Sequence, residues 1–271
     1  MTASELQLGA RSIDLVRLQG GGAQQDHALD LAVDAEDGSL ALRLEGGLFD
    51  EQWRGRLTRL DLQQHLAGRW QLAAPVALEL AADRARSEPL CLQAQDAEGR
   101  LCAEGQWLAA GDSNGDLELQ RLPLSLLAPW LPAGAEVTGY LNGDARARLG
   151  ASGSLDYDAV LSLDQTRLAL PDEGLDFDLN RALASLEGSE ERVSLTLDMT
   201  MDEIDGRLNA AVAVADPAGA GKLDGRVEMA MEDLRFLSVL VPAMKVDSGR
   251  LNGDFNIAGD LQQPAYAGPW N

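Results

Sequence analysis

The sequence predicts an all-β fold of mostly antiparallel strands, repeated along an elongated chain. Apolar and polar residues alternate over several segments, which is typical of strands with one apolar and one solvated face. Clusters of Gly, Asp, Asn and Ser separate these segments as turns. A longer pattern recurs after 110–113 residues. Such an internal repeat indicates an array in which each unit packs on its neighbours.

The individual elements follow from these signals. The alternating segments, each predicted as a strand, are 40–45, 175–179, 193–202, 208–214 and 223–232. The predicted turns between strands are 20–22, 34–38, 96–99, 111–115 and 151–154. Two apolar stretches with helical spacing and a proline near their ends, 122–131 and 234–244, are predicted to be short helical plugs.

The two plugs introduce the repeat. Residues 139–144 and 249–254 follow them and share five of six residues, in the pattern Gly-x-Leu-Asn-Gly-Asp. We therefore treat 1–271 as one continuous segment of a longer protein, with repeat units at about 122–233 and 234–271, the second one cut short. An Asn-Gly pair is typical of a hairpin turn, whereas the alternation over 139–149 and 251–261 favours an unbroken, bent strand. Both interpretations stay open.

The alternation of apolar and polar residues does not determine what covers the apolar face of the sheet. The sequence lacks long amphipathic helices that would supply a second layer. The sheet then either packs against another sheet as a sandwich or curls on itself into a trough. A trough would be an open apolar groove or would be filled by a packed core, and the residues favour neither.

Composition excludes several classes of function. A formal net charge of −22 and a pI near 4.3 argue against nucleic acid and against adsorption to anionic membranes. His27 and His65 are the only histidines, and we interpret both as solvated loop residues. Residues 112–116 begin like a calcium loop, but Leu117 stands where the loop needs Gly and Pro123 where it needs Glu. No apolar run reaches the length of a membrane span. We expect no enzyme, no cofactor and no metal site.

The two cysteines bear on the cellular compartment in which the protein folds. Cys91 and Cys102 flank a predicted turn at 96–99, so the alternation places both on the polar face of one hairpin. A cross-strand disulfide is possible there if the register brings them opposite each other. A disulfide would imply an oxidising compartment such as the periplasm. The alternatives have less support, because two thiols without His or further Cys make a poor metal site and the spacing is not Cys-x-x-Cys.

Several motifs follow one another along the chain. They are Gly-Gly-Leu-Phe-Asp-Glu-Gln-Trp-Arg-Gly-Arg-Leu at 46–57, Trp-Gln-Leu-Ala-Ala-Pro at 70–75, the cysteine pair, Leu-Pro-Leu at 122–124 and Gly-Asp-Leu-Gln-Gln-Pro-Ala-Tyr-Ala-Gly at 259–268. Together these motifs resemble the TamB family, the inner-membrane-anchored subunits of the translocation and assembly module, and its AsmA-like relatives. The similarity covers 40–268 and depends on the order and spacing of the motifs more than on any one of them.

This resemblance implies a periplasmic, U-shaped β-groove, or β-taco, that conducts phospholipid between the inner and outer membranes. It also implies a disulfide at Cys91 and Cys102 and an architectural role for Trp53, Gly55, Trp70 and Pro75. The implied partners are phospholipid acyl chains, adjoining segments of the same protein and, through regions outside this sequence, the Omp85-type protein TamA. The groove-lining residues that we expect are Leu141, Ala145, Leu149, Leu195, Leu197, Met199, Val227, Met229, Leu251, Phe255 and Ile257.

Two other functions remain as alternatives. The first is a scaffold that assists the assembly or secretion of outer-membrane proteins and autotransporters through strand edges. The second is a structural spacer without a ligand.

Overall fold

The computed structural model of the chain confirms the all-β fold. It describes residues 2–8, 11–65, 68–126, 134–171, 175–179, 181–201, 205–219, 221–232, 249–261 and 263–269. Nineteen strands lie in these ranges. The first ten are β1 Thr2–Leu8, β2 Arg11–Ala23, β3 Asp26–Ala35, β4 Gly38–Phe49, β5 Gln52–Gln64, β6 Gly68–Leu72, β7 Val76–Leu80, β8 Arg84–Ala94, β9 Arg100–Leu108 and β10 Ser113–Pro123. The other nine are β11 Glu136–Leu149, β12 Leu155–Leu170, β13 Leu175–Leu179, β14 Arg181–Ser189, β15 Arg192–Met201, β16 Gly206–Ala215, β17 Lys222–Met231, β18 Leu251–Asp260 and β19 Pro264–Ala267.

The chain divides into two compact units. Unit 1 comprises 1–119 and 148–152, and unit 2 comprises 120–147 and 153–271. This division does not test the repeat units at 122–233 and 234–271, which remain a prediction from the sequence.

Unit 1 is built from consecutive antiparallel hairpins. Strands β1 to β5 each pair with the next strand in sequence. The short strands β6 and β7 both pair with β5 on one side and with β8 on the other, so together they fill one place in the sheet. Strand β9 pairs with β8. The fold is therefore a meander of local contacts.

Unit 2 repeats this arrangement. Strand β12 is long enough to pair with both β13 and β14, and β14 to β18 each pair antiparallel with the next strand. Gln165 has a positive φ of 50° inside β12. The register of β12 runs without a shift from Leu163 with Ala182 to Thr166 with Leu179, three residues further on both sides.

Both Asn-Gly repeats lie within strands. Asn142 and Gly143 are in the middle of β11, which has 14 residues, and Asn252 and Gly253 are in β18. The interpretation as an unbroken strand is thus confirmed and the hairpin interpretation is wrong at both sites. Asn142 does not form a turn; its Oδ1 accepts a hydrogen bond of 2.8 Å from the backbone N–H of Arg121.

Two other predictions need correction. Residues 20–22 were expected to form a turn but lie in β2, and the turn follows at 24–25. His27, expected in a loop, is a half-buried residue of β3. Of the first predicted plug, residues 124–126 form one turn of 3₁₀ helix and Leu124 is buried, while the remainder from 127 lies outside the described residues. The plug at 234–244 lies wholly outside them.

Candidate apolar binding face

The register of β12 and of β14 to β18 aligns apolar side chains into rows across one face of unit 2. Alternation along each strand puts residues i and i+2 on the same face, and pairing carries each position to the next strand. The first row is Leu163, Ala182, Met199, Leu208, Met229 and Gly253. The second row is Leu161, Ala184, Leu197, Ala210, Val227 and Phe255. The third row is Ala159, Leu186, Leu195, Val212, Gly225 and Ile257. None of these eighteen residues carries a charge or a hydroxyl group.

The opposite face of the same strands is polar. One of its rows is Ser185, Thr196, Ala211, Arg226 and Asn256. Arg226 forms ion pairs there with Asp254 and with Glu228. The pKa of the Arg226 guanidinium is raised, mainly because its side chain donates hydrogen bonds to Asp254. The described carboxylates of β14 to β18 therefore lie on the solvated side, and the three apolar rows carry no charge.

One end of this apolar face is closed. Met201 and Met231 are 2% and 4% exposed and form a buried cluster. The side chains packed around the cluster are Ala135, Leu168, Leu179, Met199, Leu208 and Met229. Met201 pairs with Gly206 of β16, and Met231 lies on the other side of that glycine, one residue beyond the pair of Arg207 and Ala230. The two methionines therefore meet over a residue without a side chain.

Towards the other end the face is accessible. Leu195 is 44% exposed and Leu161 is 40% exposed, although both belong to the apolar rows. Among the described residues no large side chain falls below 2% exposure. An exposed aliphatic surface of this kind is one on which an apolar ligand can bury methylene groups.

The predicted lining residues divide into three groups. The structure places eight of them on the apolar face of β15, β17 and β18, namely Leu195, Leu197, Met199, Val227, Met229, Leu251, Phe255 and Ile257. Leu141 and Ala145 flank Gly143 in β11, and a Cβ at Gly143 would collide with the side chain of Leu161, so all three face the same side. Leu149 belongs to unit 1 and is exposed. Whether any of them contacts lipid stays a prediction.

Sequence reasoning missed the contribution of β14 and β16. Leu186 and Ala184 from β14, and Ala210 and Val212 from β16, complete the rows. The alternation over 208–214 was visible in the sequence and would have identified the β16 residues. The β14 residues carry a weaker signal, because Leu183 interrupts the polar face of that strand.

Unit 1 has its own apolar face, and Trp53 lies flat upon it. Leu57 and Val76 are paired and buried on this face. The Trp53 ring extends over the facing glycines Gly46 and Gly55. Its Nε1–H donates a 3.0 Å hydrogen bond to Nε2 of His27 on β3. The indole thus bridges three strands, which agrees with an architectural role for Trp53 and Gly55.

The cysteines form a disulfide bond across β8 and β9. Cys91 and Cys102 are directly opposite each other, with their Cα atoms 4.0 Å apart. Because Leu92 and Leu101 pair on the apolar face of the same hairpin, the disulfide lies on the other side, as the alternation predicted. It joins two strands of unit 1 covalently and contributes nothing to the apolar surface.

Near the hairpin turn at 95–99, Arg69 and Asp96 form an ion pair. Arg69 donates a 2.6 Å hydrogen bond from Nη2 to Oδ1 of Asp96, and its backbone N–H donates one of 3.2 Å to Oδ2. These bonds lower the pKa of Asp96, the side-chain hydrogen bond being the largest cause. In the described part of the chain, no three His, Cys, Asp or Glu residues are grouped to hold a metal ion.

Fold and site together define an all-β protein whose antiparallel sheets carry a polar face and an accessible apolar face. The whole of 1–271 matches the family model described as TamB, N-terminal domain. The chain therefore belongs to the TamB family, which is involved in outer-membrane assembly and lipid transport. No solved structure matches the chain. No described helix is long and apolar enough to cross a membrane.

Proposed function

We propose that this chain is a non-enzymatic, periplasmic segment of a groove that conducts phospholipid between the inner and outer membranes. The observation that carries the proposal is the apolar face of unit 2, where three rows of uncharged side chains lead from accessible Leu195 to the closed cluster of Met201 and Met231. Membership of the TamB family supports the same assignment.

The proposed mechanism is partition of acyl chains from water onto the apolar face. Each methylene that is buried contributes about 0.8 kcal/mol, so an acyl chain gains affinity along its whole length without a specific polar contact. The head group stays in water. Since the three rows contain no Arg or Lys, we expect little selectivity between head groups.

The experiment is mass spectrometry of organic extracts from the chain purified without detergent. We expect at least one phospholipid to co-purify with each chain, with mixed head groups. A control sample, unfolded in urea and refolded without lipid, should yield none. An empty extract from folded, disulfide-bonded protein would contradict lipid conduction and favour the scaffold that acts through strand edges.

A further inference from the structure

The disulfide of unit 1 has unequal surroundings at its two sulfur atoms. It lies on the polar face of the hairpin formed by β8 and β9, where Cys91 is opposite Cys102. Arg100 lies two residues before Cys102 in β9, and its Nη2 donates a 3.3 Å hydrogen bond to Sγ of Cys91 across the strand pair. A full positive charge is therefore held at the sulfur atom of Cys91.

This guanidinium is not neutralised by a carboxylate. Arg69 and Arg226 form ion pairs with aspartates, whereas Arg100 forms none with the residues that the structure describes. A positive charge beside a cysteine stabilises the thiolate relative to the thiol, and the thiolate is the form that attacks disulfides. Because backbone pairing holds β8 between β6 and β9, Cys91 keeps this neighbour when the bond is reduced.

Cys102 is less suited to be the attacking thiolate. Its residue is 8% exposed, whereas Cys91 is half-buried. Glu104 is two residues further along β9, so its side chain lies on the same face as Cys102 with the Cα atoms about 6.6 Å apart. A carboxylate there disfavours a second negative charge on Cys102, and Arg100 on the other side directs its guanidinium to Cys91 instead.

Cys91 is also open to approach from one flank. Strand β6 ends at Leu72, which pairs with Leu92. The next residue, Ala73, donates a backbone hydrogen bond of 2.8 Å to the carbonyl oxygen of Cys91, so the same register places its side chain beside Cys91. Ala73 is exposed. The neighbour on this flank is thus a methyl group, which leaves room for a partner molecule to reach Sγ of Cys91.

We propose that Cys91 is the sulfur through which this disulfide is formed, and that Arg100 is a positioning residue that favours its thiolate. The co-reactant is a partner disulfide. The Cys91 thiolate attacks one sulfur of the partner, whose S–S bond breaks, and the other partner sulfur leaves as a thiolate. Cys102 then loses its proton to water and attacks Sγ of Cys91, which releases the second partner thiolate. Two electrons pass from the cysteine pair to the partner.

The first test compares two variants of the whole chain that each retain one cysteine, Cys102→Ser and Cys91→Ser. Each reacts with dithiodipyridine, a neutral disulfide that Arg100 does not attract by its charge, and released thiopyridone gives the rate. At pH 7 we expect Cys102→Ser to react about fivefold faster or more. Both variants lack the disulfide, so the loss of its stabilisation affects them equally, and circular dichroism checks their fold.

The second test keeps both cysteines, which are reduced immediately before mixing. At pH 7, Arg100→Gln should slow the first release of thiopyridone about fivefold, the factor for one charge close to an exposed thiolate. This loss should disappear above the ordinary thiol pKa of about 8.5, where every thiol is ionised. Arg100→Lys keeps the charge and should retain most of the rate. Arg86→Gln is the matched control, an exposed arginine of the same hairpin.

The outcomes separate the two parts of this proposal. Equal rates for the two single-cysteine variants, or a faster Cys91→Ser, would overturn Cys91 as the attacking sulfur. An unchanged rate in Arg100→Gln would overturn the role of Arg100. A loss of rate that is the same at every pH would also overturn it, because Arg100 would then act through packing. The inference does not depend on lipid conduction, so its failure leaves the proposed function standing.

Discussion

Arg226 and Asp254 form a two-pronged ion pair across β17 and β18. The guanidinium Nε and Nη2 donate hydrogen bonds of 2.8 and 2.5 Å to the two carboxylate oxygens. One residue further along, Val227 and Phe255 are paired on the opposite face. Because a slip of one residue would exchange the two faces, this ion pair and the apolar rows specify the same register.

Charges on the apolar face should remove bound lipid. Leu197→Asp and Ile257→Asp each place a carboxylate among aliphatic side chains, where an acyl chain cannot hydrate it. We expect co-purified phospholipid to fall by about tenfold or more, a loss equivalent to ~1.4 kcal/mol, while circular dichroism keeps its strand signal. Thr196→Asp and Asn256→Asp are the matched controls on the polar face. Wild-type lipid content in both apolar-face variants would rule out this surface as the binding site.

The disulfide should stabilise unit 1 without affecting lipid. Cys91 and Cys102 are 11 residues apart, and closing a loop of this size stabilises a fold by about 2–3 kcal/mol through the unfolded chain. We expect the double Cys→Ser variant and the reduced wild type to show equal losses in urea unfolding. Lipid content should be unchanged in both. Unfolding curves that do not respond to reduction would contradict this role.

Much of the fold could be predicted because the alternation is local. The apolar positions of β15 and β17 follow from sequence alone, since successive residues of a strand point to opposite faces. The closed end could not be predicted in this way. Met201 and Met231 lie on either side of Gly206 in β16, and their contact depends on the pairing register, which the alternation does not give. The pairing of Tyr157 on β12 with Gly188 on β14 was also hidden, since β13 intervenes along the chain.

Among the sequence signals used to locate turns, glycine was the least reliable. Residues 20–22 were predicted as a turn, yet they extend β2, because glycine marks both turns and places where backbones approach closely. Gly22 does have a positive φ of 120°, and a Cβ there would collide with the backbone of Asp26. Its conformation is special, but it lies within the hairpin pairing of β2 and β3.

A glycine in the turn between β4 and β5 should stabilise the folded protein. Asp50 and Glu51 have positive φ values of 48° and 65°, a conformation that costs residues with a Cβ about 1–2 kcal/mol each. Glycine adopts it freely. Glu51→Gly should therefore raise the free energy of unfolding by about 1 kcal/mol. Glu36→Gly is the control in the turn between β3 and β4, because Glu36 has no positive φ, and it should not stabilise.

Acid should weaken the contact between Arg69 and Asp96. The folded-state pKa of Asp96 is lowered by Arg69, so this pair contributes stability above the ordinary carboxyl pKa of about 3.9. That contribution is lost as the pH falls through the lowered pKa, because the unfolded chain takes up the proton first. Asp96→Asn should be less stable than the wild type at neutral pH, and the difference should vanish in acid. An NMR titration that shows an ordinary Asp96 pKa would contradict this.

Truncations along β15 should distinguish the closed end from the open end. Met201 is 2% exposed within a packed cluster, so Met201→Ala leaves a cavity and should cost about 2–4 kcal/mol. Leu195 is 44% exposed on the same face, and Leu195→Ala should cost less than about 1 kcal/mol because few packing contacts are lost. Both values come from urea unfolding of lipid-free protein. Equal costs at the two positions would mean that the face is packed along its whole length, which leaves no room for an acyl chain.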